Sequence, residues 1–375
     1  MRKHQNSYIV SLVIPHPYLF SRGEWLGFGV ERVLRSTILT IRPLPIRPLV
    51  SFLLYNLIAL ISFLINRERY HVALVFNCMI FPVAYFFKKL KLITLLVYDD
   101  ADFLPIFAKG FTKKLMSILE SFAVSKSDMV ISASEILARL RRGKNSLTYV
   151  VENGFSKRLC RDFTKGATSI NNCNFVYVGN IDFTYVTLDT VIKAFKSSEA
   201  LKNSKLYIVG RGKDLPKLYE MVVGLDNVIL TSYTNIIQQL SIFEKSIFGL
   251  APYHISGHAK FGDPLKVKEY LASGLCVIVS DIKPIIDFIK NVDGCYYVIK
   301  DPLNEEHVKK VLEEALISCT KEGVNLLRKI ERSSTKVCNL YSWDRLIVKY
   351  VMYVNKLVKE FMLRKKQYLV NKNVR

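Results

Sequence analysis

The sequence has no two cysteines at the spacing of a metal knuckle or a dithiol motif, and its seven cysteines are scattered and odd in number. That excludes a zinc ribbon and argues against a secreted disulfide framework. Cys78 and Cys276 lie in apolar runs and read as small core residues, so a reducing, cytoplasmic setting is the expectation. Acidic residues are scarce: 32 Asp and Glu face 54 Lys and Arg, for a formal net charge of +22. A surplus of that size predicts an anionic partner, whether phosphate, nucleic acid or lipid surface. No helix-turn-helix, zinc or RNP signature accompanies it, and the basic residues concentrate at the chain's end, so nucleic acid is not expected as a partner. No apolar run reaches the ~20 residues of a membrane span. The nearest is the uncharged stretch Leu49 to Ile65, read first as a buried helix and second as a membrane-surface helix. The apolar run Tyr8 to Ile14 is short and stops at Pro15, unlike a signal peptide, and no short-period repeat occurs.

What the sequence does have is apolar material in a regular alternation. Half of its 375 residues are hydrophobic, enough for two domains rather than one. β-branched runs at Tyr8–Ile14, Ser36–Ile41, Val72–Phe76, Leu92–Val97, Met129–Ile131 and Leu147–Val151 alternate with helical segments. The pattern restarts at Asn174–Val178 and continues through Lys205–Val209, Val228–Leu230, Ile247–Leu250, Val277–Ser280 and Tyr296–Val298. Strand, helix, strand in repetition means parallel sheets flanked by helices. The polar stretch Asn153 to Cys173 separates the halves. The expected division is an N-terminal domain over 1–160, a C-terminal domain over 161–340, and a final helix with a basic tail over 341–375. From Arg345 to Arg375 nine Lys or Arg residues face one acid, Glu360. That suits either a solvated helix or docking to an anionic membrane surface.

Open parallel sheets bind ligands beyond the carboxyl ends of their strands. After the strand Ile247–Leu250, a loop leads through Gly262 and Asp263-Pro264 into a helix ending at Gly274. Asp263 is expected as the cap and Pro264 in the first turn. A helix N-terminus attracts phosphate, and Lys266 adds a full charge in that turn. Glu269, three residues on, shares its face and is suited to accept hydrogen bonds from ribose hydroxyls. Phosphate and ribose together point to a nucleoside diphosphate; the bland alternative is an amphipathic helix with an ordinary Lys–Glu pair.

The run PLKVKEYLASGLCVIVSD resembles the donor-binding region of the retaining, glycogen-synthase-like branch of GT-B glycosyltransferases (glycosyl transferases group 1), which includes surface-polysaccharide enzymes. Other motifs are similar in the same order. They are Tyr98 to Phe103, Asp128 to Leu137, the turn Val151-Glu152-Asn153-Gly154, the glycine turn Tyr177-Val178-Gly179-Asn180, Leu206 to Gly212 including Arg211, and Trp343. The resemblance implies an α/β fold of two Rossmann-like domains with parallel sheets facing a central cleft. It implies transfer of a hexose from a nucleotide-diphosphate sugar to a glycan or lipid-linked acceptor, with retention and without a metal or other cofactor. By position, Glu269 would hold the ribose and Lys266 the diphosphate. Gly179 and Asn180, Arg211 and Gly262 would complete the donor site. The family's second glutamate, eight residues before Glu269, is Phe261 here, so Asp263 or His258 is the candidate substitute.

In the first half, Asp100-Ala101-Asp102 has the form of a metal motif from the other glycosyltransferase fold. In the acceptor domain, Asp99, Asp100 and Asp102 read instead as candidates to orient or deprotonate an acceptor hydroxyl, with an ordinary acidic loop as the alternative. His16 and Arg22, in the loop after the first strand, are further candidates for substrate contact. The competing functions are a nucleotide-sugar 2-epimerase of the same fold and a non-catalytic sugar- or nucleic-acid-binding protein. The expected location is cytoplasmic, peripheral at the membrane's inner face.

Overall fold

A computed structural model describes residues 9–12, 28–33 and 36–41, the helical positions 53–54, 56–57 and 60–61, and the chain from 69 onward except 164–172, 232–234 and 374–375. His16, Arg22 and most of the stretch 49–65 lie outside the described residues. The chain divides into two compact units, Met1–Glu152 with Val348–Arg375, and Asn153–Ile347.

The first unit contains strands β1 (Ile9–Leu12), β2 (Phe28–Val33), β3 (Ser36–Ile41), β4 (Tyr70–Val75), β5 (Ile93–Asp100), β6 (Met129–Ser132) and β7 (Thr148–Val150) in the order β2-β3-β1-β4-β5-β6-β7. All pairs are parallel except β2 with β3. Strand β2 was not expected. Its sequence, FGVERV, carries a glycine and two charges and so lacks a β-branched run. Helices α1 (Phe81–Lys89), α2 (Gly110–Lys126) and α3 (Glu135–Arg142) are the crossovers among β4 to β7. Their direction is constant, so right-handed connection stacks them on one face of the sheet. There Phe81 meets Tyr98 and Phe122 edge-on, with ring centroids 5.9 and 6.0 Å apart.

Alternation along β5 turns Tyr98 and Asp100 to that face and Asp99 to the other. Asp100 is fully buried and receives two bonds from Arg141, at 2.8 and 3.2 Å. Ser132 donates a further bond at 3.3 Å. Arg141 also reaches Glu120, at 2.9 Å, and Glu120 accepts the Leu104 N–H at 3.2 Å. Burial by itself would lower the Arg141 pKa; the bond to Asp100 and the charge of Glu120 reverse the direction and hold its proton. Asp100 is therefore a structural anchor and not the acceptor-side catalyst expected from the Asp100-Ala101-Asp102 motif. A carboxylate with no exposure, bonded to Arg141 and Ser132, is not placed to meet a substrate hydroxyl.

The other face receives the long C-terminal helix. Tyr350 donates to Asp99 at 2.8 Å, Tyr353 stacks on Tyr149 with centroids 4.3 Å apart, and Lys349 pairs with Glu152 at 3.1 Å. Asp99 is thus engaged as well, and burial lifts its pKa to about 7 against the lowering effect of the Tyr350 bond.

The second unit is a six-stranded parallel sheet. Its strands are β8 (Phe175–Asn180), β9 (Leu206–Arg211), β10 (Val228–Thr231), β11 (Phe248–Ala251), β12 (Cys276–Ser280) and β13 (Tyr296–Ile299), in the order β10-β9-β8-β11-β12-β13. Helices are α4 (Leu188–Ser197), α5 (Leu215–Met221), α6 (Ile236–Phe243), α7 (Leu265–Ala272), α8 (Lys283–Asn291), α9 (Glu305–Lys321) and α10 (Gly323–Tyr341). The chain's last helix, α11, runs Trp343–Asn373. Two cores cover the sheet. Phe175 and Tyr177 of β8 belong to one and Val176 to the other, as strand alternation requires. Phe155 and Leu159 are buried in the second core, so the chain enters this unit at Asn153, ahead of the expected 160/161 division.

The expectation of unpaired cysteines is corrected here. Cys160 is joined to Cys338 and Cys173 to Cys319, with Cα atoms 5.9 and 6.1 Å apart. The partners lie 178 and 146 residues apart in sequence, so local spacing carries no trace of them. Cys78, Cys276 and Cys295 are free and buried.

Replacing Arg141 with Met leaves two buried carboxylates without their counter-charge. The expected loss is about 3–5 kcal/mol, read as a lower urea midpoint. An unchanged midpoint contradicts the anchoring role.

Candidate functional site

The sequence-predicted donor residues collect at the carboxyl ends of β8 and β9 and at the start of α7. Strand periodicity sets the first part. Tyr177 and Gly179, two apart, share one face of β8, and Asn180 lies in register with Arg211 on β9. The Tyr177 hydroxyl donates to the Asn180 carbonyl at 2.6 Å, and the Val178 N–H donates to the Tyr270 hydroxyl at 2.8 Å. Together these bonds hold the glycine turn.

Lys266 reaches this turn from the first turn of α7. Its ammonium sits 4.0 Å from the centre of the Tyr177 ring and 5.3 Å from that of Tyr253, a cation–π setting. A Cβ on Gly179 would come within 2.6 Å of Lys266 Nζ. The backbone φ of +154°, which residues with a side chain rarely adopt, favours glycine here. Any side chain at 179 would displace the ammonium and fill the space above it.

Burial pushes the Lys266 pKa down to about 7, with the charge of Glu269 acting in the opposite sense. Burial likewise pushes Glu269 up to about 7, opposed by Lys266. Each group is desolvated and each feels the other's charge. That is how a site waiting for an ionic ligand differs from a surface i,i+3 pair, whose charges stay solvated.

Asp263 has a different role from the expected one. The N-cap of α7 is Pro264, and no side chain caps the helix. The Asp263 carboxylate instead pairs with Lys268, at 2.6 and 2.7 Å, and accepts the Asn153 N–H at 3.0 Å. Lys268 is fully buried, donates to the Asn153 carbonyl at 3.0 Å, and lies 4.8 Å from the Tyr341 ring centre. With its carboxylate committed to Lys268, Asp263 does not replace the missing sugar-binding acid. The next residue of the turn, Gly154, faces Trp343; a Cβ there would lie 2.7 Å from the indole.

Gly262 follows the short turn His258–Lys260 and donates to the His258 carbonyl at 3.3 Å. His258 packs edge-on to Tyr185 and Tyr253, with centroids 5.1 and 5.9 Å away. Arg211 is exposed at the end of β9. In the first unit Asp102 is half-buried in the loop after β5 and keeps its place as the acceptor-side candidate. Sequence reasoning missed Tyr177, Tyr253 and Lys268. The period-2 relation of Tyr177 to Gly179 was available as a signal. The contacts of Tyr253 and Lys268 are tertiary and left none.

Residues 172–315 match the family model for Glycosyl transferases group 1. Similar solved structures include sucrose-phosphate synthase from Thermosynechococcus elongatus, with TM-score 0.69 and 14% identity over 88% of this chain and 86% of that one. Anabaena HepE in complex with UDP-glucose gives TM-score 0.61 and 13% identity over 86% of each chain. The pneumococcal O-GlcNAc transferase GtfA, in complex with UDP and GlcNAc, gives TM-score 0.60 and 14% identity over 80% of this chain and 60% of that one. Identities this low establish the fold alone. No curated protein sequence matches significantly. The chain therefore has the GT-B fold, and its residues 172–315 carry a Glycosyl transferases group 1 domain.

A diphosphate bound beside Lys266 stabilises its charged form, so binding takes up a proton wherever the free amine is neutral. Since the free pKa is about 7, nucleoside diphosphate affinity falls as pH rises from 7 to 9, by up to about tenfold per unit. Calorimetry in buffers of different ionisation enthalpy should show proton uptake at pH 8, and Lys266→Met should abolish it. Uptake undiminished in that variant rules out Lys266 as its source.

Proposed function

We propose that this glycosyltransferase moves a hexose from a nucleotide-diphosphate sugar to a glycan or lipid-linked acceptor, with retention, at an anionic membrane surface. The observation that carries the donor part is the Lys266 ammonium lodged under Gly179 with Glu269 three residues on, both partly desolvated. In this reading the diphosphate lies over Gly179 and replaces the water that Lys266 lacks. Glu269 accepts the ribose hydroxyls. The developing charge on the leaving diphosphate is met by Lys266, by Arg211 at the end of β9, and by the uncapped start of α7. Structural relatives bound to UDP and UDP-glucose support a uridine donor. No paired-carboxylate chemistry of the glycosidase kind is invoked. Asp102 is the proposed group that orients the acceptor hydroxyl. The role once open to Asp263 passes to the loop around His258, where Phe261 occupies the usual acidic position.

A panel of UDP-, GDP- and ADP-hexoses tests this. One should be hydrolysed slowly without acceptor and transferred with it, and the anomeric signal of the product reports retention. Glu269→Ala should weaken donor binding on the order of a hundredfold, the scale of losing charge-assisted hydrogen bonds, with the melting temperature kept. Wild-type turnover by that variant refutes the assignment. Conversion of the donor to its 2-epimer without acceptor would favour the epimerase.

A further inference from the structure

The outer side of the first unit's helical layer has an unusual surface. The helical positions 53–54, 56–57 and 60–61, α1 and α2 precede β4, β5 and β6 in turn, and right-handed crossovers place them side by side. Two contacts confirm the order. The Asn56 side chain donates to the Met79 carbonyl at 2.8 Å, just before α1, and Tyr85 of α1 meets Phe122 of α2 at 5.2 Å. Leu60 packs inward against the core. Leu53, Leu57 and Ile61, spaced one turn apart, are all exposed, and Leu53 is 60% exposed. Phe86 and Leu90 at the end of α1 are exposed too, as are Phe107, Phe111 and Ile118 along α2 and its approach, with Phe111 at 73%.

On α1, α2 and the loops beside them the exposed charges are lysines, and the exposed acid of the neighbouring α3, Glu135, is paired with Arg139 and Arg142. Lys89, Lys91, Lys109, Lys113 and Lys114 are exposed. Helix α1 contains no acid, and the single acid of α2, Glu120, is buried against Arg141. Helix α9 of the second unit makes the contrast: its exposed large apolar residue, Ile317, shares the helix with four glutamates. Single exposed apolar residues are ordinary. Aromatic and aliphatic side chains across three adjacent helices, with lysine as the exposed charge of α1 and α2, are not.

We propose that this layer is the face that docks on an anionic lipid bilayer. The apolar side chains enter the headgroup boundary and the lysines pair with lipid phosphates. The face extends to the first turn of α2, at the same end of β5 as the Asp102 loop, so docking holds the candidate acceptor residue near the lipid surface. This deepens the lipid-linked acceptor reading and takes its purpose from it. It also moves the membrane contact away from the basic helix α11, which lies on the opposite face of the sheet through Tyr350 and Asp99.

Flotation of the full-length protein with vesicles tests the face. Binding is expected to vesicles containing about 30% phosphatidylglycerol, not to phosphatidylcholine alone, and to weaken with salt. Leu57→Ser with Phe111→Ser, and separately Lys113→Glu with Lys114→Glu, should each reduce binding about tenfold or more. Donor hydrolysis in solution should be unchanged in both. The face is refuted if the wild type does not float, if both variants float like the wild type, or if only Lys365→Glu with Lys366→Glu on α11 abolishes binding. Flotation with the predicted variant losses but without donor hydrolysis supports the face and overturns the transferase reading instead.

Discussion

The proposed donor site depends on one buried ion pair, Lys268 with Asp263. It fixes where α7 begins, because both partners also hold the Asn153 backbone, through its N–H and its carbonyl. A helix start held in this way points Lys266 at the glycine turn of β8 and puts Glu269 on the same side. Buried ion pairs are weak sources of net stability, since desolvation offsets most of their attraction. What this one supplies is position. The ring of Tyr341 beside Lys268 and the indole of Trp343 over Gly154 extend the same anchorage to α10 and the start of α11.

In the proposed function the Lys266–Glu269 pair is the ligand-binding counterpart of that structural pair. Three residues of α7 and the aspartate just before it thus divide into two jobs: Lys268 is compensated by Asp263 and the Asn153 carbonyl, whereas Lys266 is desolvated with Glu269 as its counter-charge. The shift of both Lys266 and Glu269 toward neutrality follows from that unequal treatment. A diphosphate restores the missing compensation, so ligand charge and protein burial are complementary.

Much of this was legible in the sequence, and the limits of legibility have physical causes. The strands of both sheets were found because β-branched runs alternate with amphipathic segments. The parallel arrangement then followed from that alternation. Lys266 and Glu269 were singled out because helical spacing puts them on one face and the surrounding run resembles a donor-binding region. Strand β2 was missed because pairing, not composition, makes it a strand. Asp263 was misassigned because a cap and an ion-pair partner look alike in sequence, and the choice rests on Lys268, whose burial is a tertiary fact. Asp100 read as an acceptor-side candidate in sequence, where its partner Arg141, 41 residues away, leaves no trace. The disulfides Cys160–Cys338 and Cys173–Cys319 join segments too distant for any spacing rule.

The most direct test of the central claim is a crystal structure of the protein soaked with a nucleoside diphosphate. The account predicts the diphosphate over Gly179, within hydrogen-bonding distance of Lys266 Nζ, and the ribose hydroxyls on the Glu269 carboxylate. A nucleotide bound elsewhere, away from Lys266 and Glu269, would contradict it.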